Sequence, residues 1–123
     1  MQFDELSNKI IGCAIEVHKH LGPGLLEKTY HKSLEFELNS LAINFKSEIE
    51  LPVIYKNNKI DCGYRIDLLI EKNIIVELKS VNEMIPIFDA QLLTYMKLSN
   101  IKIGLLINFN VQLLKDGIKR FVL

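Results

Sequence analysis

Asp67-Leu68-Leu69-Ile70-Glu71-Lys72-Asn73-Ile74-Ile75-Val76-Glu77-Leu78-Lys79 is the stretch on which the reading of the fold turns. Two apolar runs flank a polar triplet, the pattern of two strands joined by a turn. Alternate residues of a strand share a face, so Glu77 and Lys79 point together while Leu78 points away. A hairpin of these strands sets Asp67 beside Glu77. Two carboxylates held together at a sheet rim repel one another unless a cation lies between them. Oxygen donors of this kind suit a hard divalent ion, Mg²⁺ or Mn²⁺. The plainer reading is an exposed Glu77–Lys79 pair and a solvated Asp67. Glu-x-Lys is a weak pattern by itself, but it occurs once in this chain, at the end of its most apolar strand.

Upstream, Phe3, Leu6, Ile10, Cys13 (or Ala14), Val17 and Leu21 recur at three- and four-residue steps. That spacing predicts a helix over about 4–20 with one buried face. Gly22-Pro23-Gly24 breaks it. A second helix is expected over about 25–40, burying Leu26, Tyr30, Leu34 and Leu38. Strands are expected over 48–55, 60–70 (bent at Gly63) and 74–78, with Lys56-Asn57-Asn58-Lys59 and Glu71-Lys72-Asn73 as turns. A helix over 89–100 follows Pro86, then strands over 101–109 and 118–122, the last after the Asp116-Gly117 turn. A strand meander followed by a helical crossover implies an α/β fold, a mixed central sheet flanked by helices.

The 123 residues fit one domain, spanning 1–123. With 49% apolar and 24% charged residues the chain can bury a core unaided. No apolar run reaches the ~18–20 residues of a membrane span, and the charged MQFDELSNK start is unlike a signal peptide. Cys13 and Cys62 lack CxxC spacing, which fits buried free thiols in a reducing cytoplasm. Fifteen basic residues balance fifteen acidic ones. Neutrality argues against tight, unassisted binding of long DNA, although a local groove can still carry phosphate contacts.

Three further residues join the acidic stretch. Glu27 falls in step with Tyr30, Leu34 and Leu38, on a stripe where a carboxylate is costly unless compensated. Its ordinary role is to complement the positive end of the helix. Gln91 and Tyr95 lie four apart on one helical face; the ordinary reading is a hydrogen-bonded pair at the helix–sheet seam.

Gly24-Leu25-Leu26-Glu27-Lys28-Thr29-Tyr30 resembles the motif of the GxxExxY family. The preceding Glu16–Gly24 segment resembles that family as well, as do Tyr64–Leu69, Ile75–Lys79, Ala90–Tyr95, Gly104–Phe109 and Gly117–Arg120. The resemblance spans almost the whole chain. It implies the PD-(D/E)XK nuclease superfamily and a restriction-endonuclease-like αβββαβ core. It implies Asp67 and Glu77 as metal ligands with the Leu78 carbonyl, Glu27 as an added acidic ligand, and Lys79 orienting or activating water. Gln91 to Tyr95 is similar to the QxxxY element of RecB-like nucleases, which supports the site from the following helix. One departure is Phe88, where relatives commonly carry a His.

The expected function is therefore Mg²⁺- or Mn²⁺-dependent hydrolysis of phosphodiester bonds in DNA or RNA. Asp67, Glu77, Lys79, Glu27, Gln91 and Tyr95 carry it. Arg65, Lys115, Lys119 and Arg120 are candidate phosphate contacts, and His18 a candidate neighbour of the site. The competing reading is a binding or assembly module on a nuclease scaffold, favoured by the neutral charge. A protein partner or a homodimer would then supply the substrate affinity. A non-nuclease hydrolase using the same carboxylates ranks third.

Overall fold

The computed structural model describes residues 4–123; Phe3, expected on the first helix's buried face, lies outside them. Helix α1 (Glu5–Leu21) begins where its sequence caps it: the Asp4 carboxylate accepts from the Ser7 N–H at 2.8 Å and the Ser7 hydroxyl at 2.7 Å. It ends at Gly22, whose φ of +67° suits a residue without Cβ and whose N–H donates to the His18 carbonyl at 2.8 Å. Ile10, Cys13, Ala14 and Val17 are buried, as the spacing predicts. Helix α2 (Glu27–Ser40) buries Tyr30, Leu34 and Leu38. Leu26 is the exception to the expected stripe: it lies just ahead of α2 and is 78% exposed.

Strands β1 (Phe45–Glu50), β2 (Val53–Tyr55), β3 (Asn58–Ile60), β4 (Arg65–Ile70) and β5 (Ile74–Lys79) follow. Helix α3 (Pro86–Ser99) comes next, then β6 (Ile103–Asn108) and, after a 3₁₀ turn, β7 (Ile118–Val122). The two long strands expected over 48–55 and 60–70 are each divided. Val53–Tyr55 pairs with Asn58–Ile60 in the separate β2–β3 hairpin, so the turn is Lys56-Asn57, and Asn58 and Lys59, expected in it, are strand. Residues 61–64 are not strand, and 48–50 and 65–70, with 45–47, join the main sheet. Pro52 and Gly63 mark the two divisions. Proline lacks a ladder donor, and Gly63 takes φ +77°.

Among the described residues the main sheet has five strands in the order β1-β4-β5-β6-β7. β5 and β6 are parallel and the other neighbours antiparallel, with α3 as the crossover. The result is the mixed α/β architecture of a restriction-endonuclease-like fold. One face packs on α1 and α2 through Leu68, Ile70, Ile74, Val76, Leu78, Leu105 and Ile107. The other packs on α3 through Ile66, Ile75 and Leu106. Each fully buried Leu or Ile contributes roughly 1.5–3 kcal/mol. Gly104 sets the α3 spacing, because a Cβ there would lie 2.7 Å from Met96 Sδ.

Candidate metal centre

The β4–β5 ladder pairs Ile70 with Ile74, Leu69 with Ile75 and Leu68 with Val76, and then stops. The next residues in register are Asp67 and Glu77. There the strands part and side chains replace the ladder. The Asp67 N–H donates to Glu77 Oε1 at 3.1 Å, and the Leu78 N–H donates to Asp67 Oδ2 at 2.8 Å. The N–H and C=O of one strand residue point to the same side. The Leu78 carbonyl therefore faces the gap, while the Lys79 carbonyl accepts from the Phe109 N–H on the far side at 2.9 Å.

The parting coincides with a change of face in the two edge strands. Phe45 in β1 and Leu68 and Ile70 in β4 belong to the α1–α2 core, whereas Ile49 and Ile66 belong to the α3 core. The switch falls at Glu48 and Asp67, which lie opposite each other between the pairs Ser47–Leu68 and Ile49–Ile66. Glu48 adopts φ +53°, a conformation that costs a non-glycine residue about 1–2 kcal/mol. This local twist lets the carboxylate end of β4 stand where both helical layers can reach it.

Glu77 is buried, and burial joined by the Asp67 charge pushes its carboxyl up to about 9. A side-chain hydrogen bond between the two adds to the rise, so Glu77 keeps its proton near neutrality. Glu27, the first residue of α2, is exposed at the rim rather than buried on the stripe. The reason is that α2 begins beyond the sheet's end, so the stripe has nothing to cover its first position. Partial burial and then the Asp67 charge raise the Glu27 carboxyl, with Lys79 and His31 acting in the opposite sense. Glu27 thus stands where the charges of Asp67 and Lys79 reach it.

Its placement depends on Tyr30. The buried Tyr30 hydroxyl donates to the Gly22 carbonyl at 2.6 Å and accepts from the Leu25 N–H at 3.1 Å. Its ring stacks on Phe109 at 4.4 Å. The tyrosine of the Gly24–Tyr30 motif fixes the turn that starts α2 and so aims Glu27. Ser80 adds a tie from the end of β5, its hydroxyl donating to the Leu25 carbonyl at 2.6 Å.

On the α3 side, Gln91 Nε2 donates to the Tyr95 hydroxyl at 2.8 Å, the pairing expected of a helix–sheet seam. Tyr95 also lies within reach of the acidic pair: burial, then the Glu77 charge, raises its hydroxyl. Lys79 Nζ sits 4.5 Å from the centroid of the Phe88 ring. The lysine is thus held over an aromatic face.

Two residues outside the expected set also shape the site. Asn108 is buried, accepts from the Val81 and Asn110 N–H groups at 3.1 Å each, and donates to the Val81 carbonyl at 3.0 Å. It clamps the chain that leaves Lys79. A signal for it was available, since a polar side chain ends the apolar run Ile103–Ile107. His31, one turn after Glu27, lies 3.3 Å from Glu35 and 3.4 Å from the Ser47 hydroxyl. Nothing in the local sequence marks it.

Other candidates stand elsewhere. His18 Nε2 contacts the Val111 carbonyl at 2.8 Å. Lys119 pairs with Asp89 at 3.2 Å, Arg120 with Asp4 at 2.8 Å and Arg65 with Glu50 at 3.7 Å. Lys115 lines a cleft with His18 and Pro23. Cys13 is buried as expected, but Cys62 is exposed, on the loop that leaves the hairpin.

Among the described residues, no group of three or more His, Cys, Asp or Glu side chains is arranged to hold a metal. The acidic core is a pair, Asp67 and Glu77, with the Leu78 carbonyl on the same side and Glu27 standing off. The donors are all oxygen, and a divalent charge would offset the burial and repulsion that raise the Glu77 carboxyl, so this set fits a hard cation.

A family model described as the PD-(D/E)XK nuclease superfamily matches residues 4–121. No match was found among curated proteins or among solved structures.

Proposed function

This chain belongs to the PD-(D/E)XK nuclease superfamily, and from that premise we propose that it is a metal-dependent nuclease of the GxxExxY type. Its reaction is phosphodiester hydrolysis in DNA or RNA. The observation that carries the reading is the interruption of the β4–β5 ladder at Asp67 and Glu77. There two carboxyls replace backbone pairing, and burial with the Asp67 charge raises the Glu77 carboxyl.

In this reading Asp67, Glu77 and the Leu78 carbonyl hold Mg²⁺ or Mn²⁺, and Glu27 turns in from the rim to complete the set. When bound, the ion supplies Lewis acidity to the phosphoryl oxygen and lowers the pKa of attached water. Lys79 positions the attacking water and stabilises negative charge as it develops. The Phe88 ring limits where the ammonium can go. Tyr95, its hydroxyl already accepting from Gln91, is left with a proton to donate towards the acidic pair. This is the support that the RecB-like element implies. The folded unit that acts is the whole chain, and its free thiols suit the cytoplasm. Among the described residues no helix is long and apolar enough to cross a membrane.

The second reading, a binding or assembly module that keeps the scaffold without turnover, has its own support. The acidic pair does not close into a three-carboxylate cluster, and the chain is neutral overall. Calorimetric titration with Mn²⁺ separates the two when joined to a cleavage assay on single-stranded, duplex and structured DNA and RNA. The nuclease reading expects Mn²⁺ binding with proton release, lost in Asp67→Ala, and cleavage lost in Lys79→Ala. Metal binding without cleavage of any substrate favours the module. No Mn²⁺ binding by the wild type removes the metal centre.

A further inference from the structure

The β2–β3 hairpin is the part of the molecule that the fold does not use. Its strands pair with each other through Val53–Ile60, Ile54–Lys59 and Tyr55–Asn58, and it packs chiefly on itself. A two-stranded hairpin alone is marginally stable in water. Its two-residue turn, Lys56-Asn57, has φ +48° and +66°, values matched to a tight hairpin. The chain thus builds a defined projection and leaves it uncovered, with Tyr55 57% exposed at its tip.

Its position follows from register. β1 and β4 end their pairing at Glu50–Arg65, and the Leu51 N–H donates to the Tyr64 carbonyl at 2.9 Å just beyond. The hairpin therefore leaves the sheet two residues from Asp67, at the end where Glu77 and Lys79 lie in the antiparallel neighbour. Tyr64, at its root, sits 6.0 Å from the Tyr95 ring.

Its chemistry is cationic and aromatic. Lys56 Nζ lies 5.5 Å from the Tyr55 ring centroid, whereas Lys59, paired with Ile54, stands on the hairpin's other face. Neither lysine has an ion-pair partner among the described residues. The nearby acids are engaged: Asp61 accepts from the Gly63 N–H at 3.3 Å, and Glu50 pairs with Arg65 at 3.7 Å. An exposed ring with one cation beside it, and a second on the other face of a narrow two-stranded projection, is a surface on which an unpaired base stacks while the phosphates flanking it meet the lysines.

We infer that the β2–β3 hairpin is a substrate arm that grips a single-stranded nucleic-acid segment next to the scissile phosphate through Tyr55, Lys56 and Lys59. This rests on the nuclease reading. It gives a neutral protein a local source of strand affinity beside its acidic centre.

The test is fluorescence anisotropy of the full chain with a labelled 20-nucleotide single strand, as DNA and as RNA, and with the matching duplex. Measurements are made without divalent metal so that nothing is cleaved. Lys56→Gln/Lys59→Gln is expected to weaken single-strand binding about tenfold. It should also reduce the slope of log affinity against log salt by about 1.4, roughly 0.7 for each phosphate that a lysine no longer neutralises. Tyr55→Ala is expected to weaken it about 5- to 100-fold. Lys102→Gln, which removes a charge at the far end of the sheet, should change affinity less than twofold. Circular dichroism checks that each variant is folded.

Single-strand affinity and salt slope unchanged in Lys56→Gln/Lys59→Gln overturn the arm, as does a wild type that prefers duplex. So do hairpin variants that alter the mass in solution but not strand binding, because the hairpin is then an interface between copies of this chain. The two readings fail separately. Mn²⁺ binding and cleavage that survive while the hairpin variants bind normally leave the nuclease and remove the arm. Hairpin-dependent strand binding without Mn²⁺ binding does the reverse.

Discussion

The two ends of the β4–β5 hairpin are built from the same strands and opposed in purpose. At the turn end, Leu68, Ile70, Ile74, Val76 and Ile75 are buried with a regular ladder between them. At the open end, one residue further along each strand, the ladder gives way to two carboxyls and a lysine. The first end gains stability by removing apolar surface from water. The second gives some of it up: a buried carboxyl that resists ionisation, a left-handed Glu48 and missing backbone pairs. The strained open end is held in that state by the rigidity of the turn end. This contrast sets what each substitution should do.

The largest effect is expected at the open end and on chemistry alone. Asp67→Ala should lower cleavage by about 10³-fold, the equivalent of about 4 kcal/mol of lost charge stabilisation. Its urea midpoint should stay at or above that of the wild type; a collapse of the fold would mean the two ends are not separable. At the turn end the expectation inverts. Leu68→Ala should cost about 2–5 kcal/mol of stability through reduced burial and the cavity left behind, read from urea denaturation. Its cleavage rate at low temperature should stay close to wild type.

Glu77→Gln tests the conflict directly. The folded carboxyl titrates at about 9 against an ordinary value of 4.5. Its contribution to stability is therefore complete below about 4.5 and is lost as pH rises towards 9. The amide removes that loss. Thermal unfolding of the metal-free variant should exceed wild type by several degrees at pH 8 and match it at pH 4, while Mn²⁺ binding disappears. The same linkage makes wild-type Mn²⁺ affinity rise with pH up to about 9, with proton release visible in buffers of different ionisation enthalpy.

The smallest expected effect is at Glu48. Glycine accepts φ +53° without the side-chain clash, so Glu48→Gly should stabilise by about 0.5–1 kcal/mol after allowing for the freer unfolded chain. A destabilised variant would mean that the Glu48 side chain contributes more than its backbone costs.

Much of this was legible from residues alone. The apolar steps in α1, the Gly22-Pro23-Gly24 break and the short run at β5 each carry a local physical cause, so their elements lie within a few residues of expectation. Glu-x-Lys at the end of that run marked Glu77 and Lys79, and the turn between the strands placed Asp67 opposite. The failures have causes too. Leu26 and Glu27 sat in step with a stripe whose upper end has no sheet beneath it. Cys62 was expected to be buried because free thiols generally are, yet it stands exposed on the loop that leaves the hairpin. The strands over 48–55 and 60–70 read as continuous because Pro52 and Gly63 tell where pairing weakens, not where the chain leaves the sheet.

What the sequence determined by itself is therefore periodic or adjacent: which segments are helix or strand, which faces are apolar, and which carboxylates lie near in chain. Such features depend on neighbours a few residues away. Only the tertiary structure decided that the ladder stops at Asp67 and Glu77, that Glu27 stands at the rim, and that Tyr30 and Asn108 hold the loops around it. The protonation of Glu77 is of the same kind. Its cause is burial and the charge of Asp67, ten residues away in chain, and neither exists until the strands have paired.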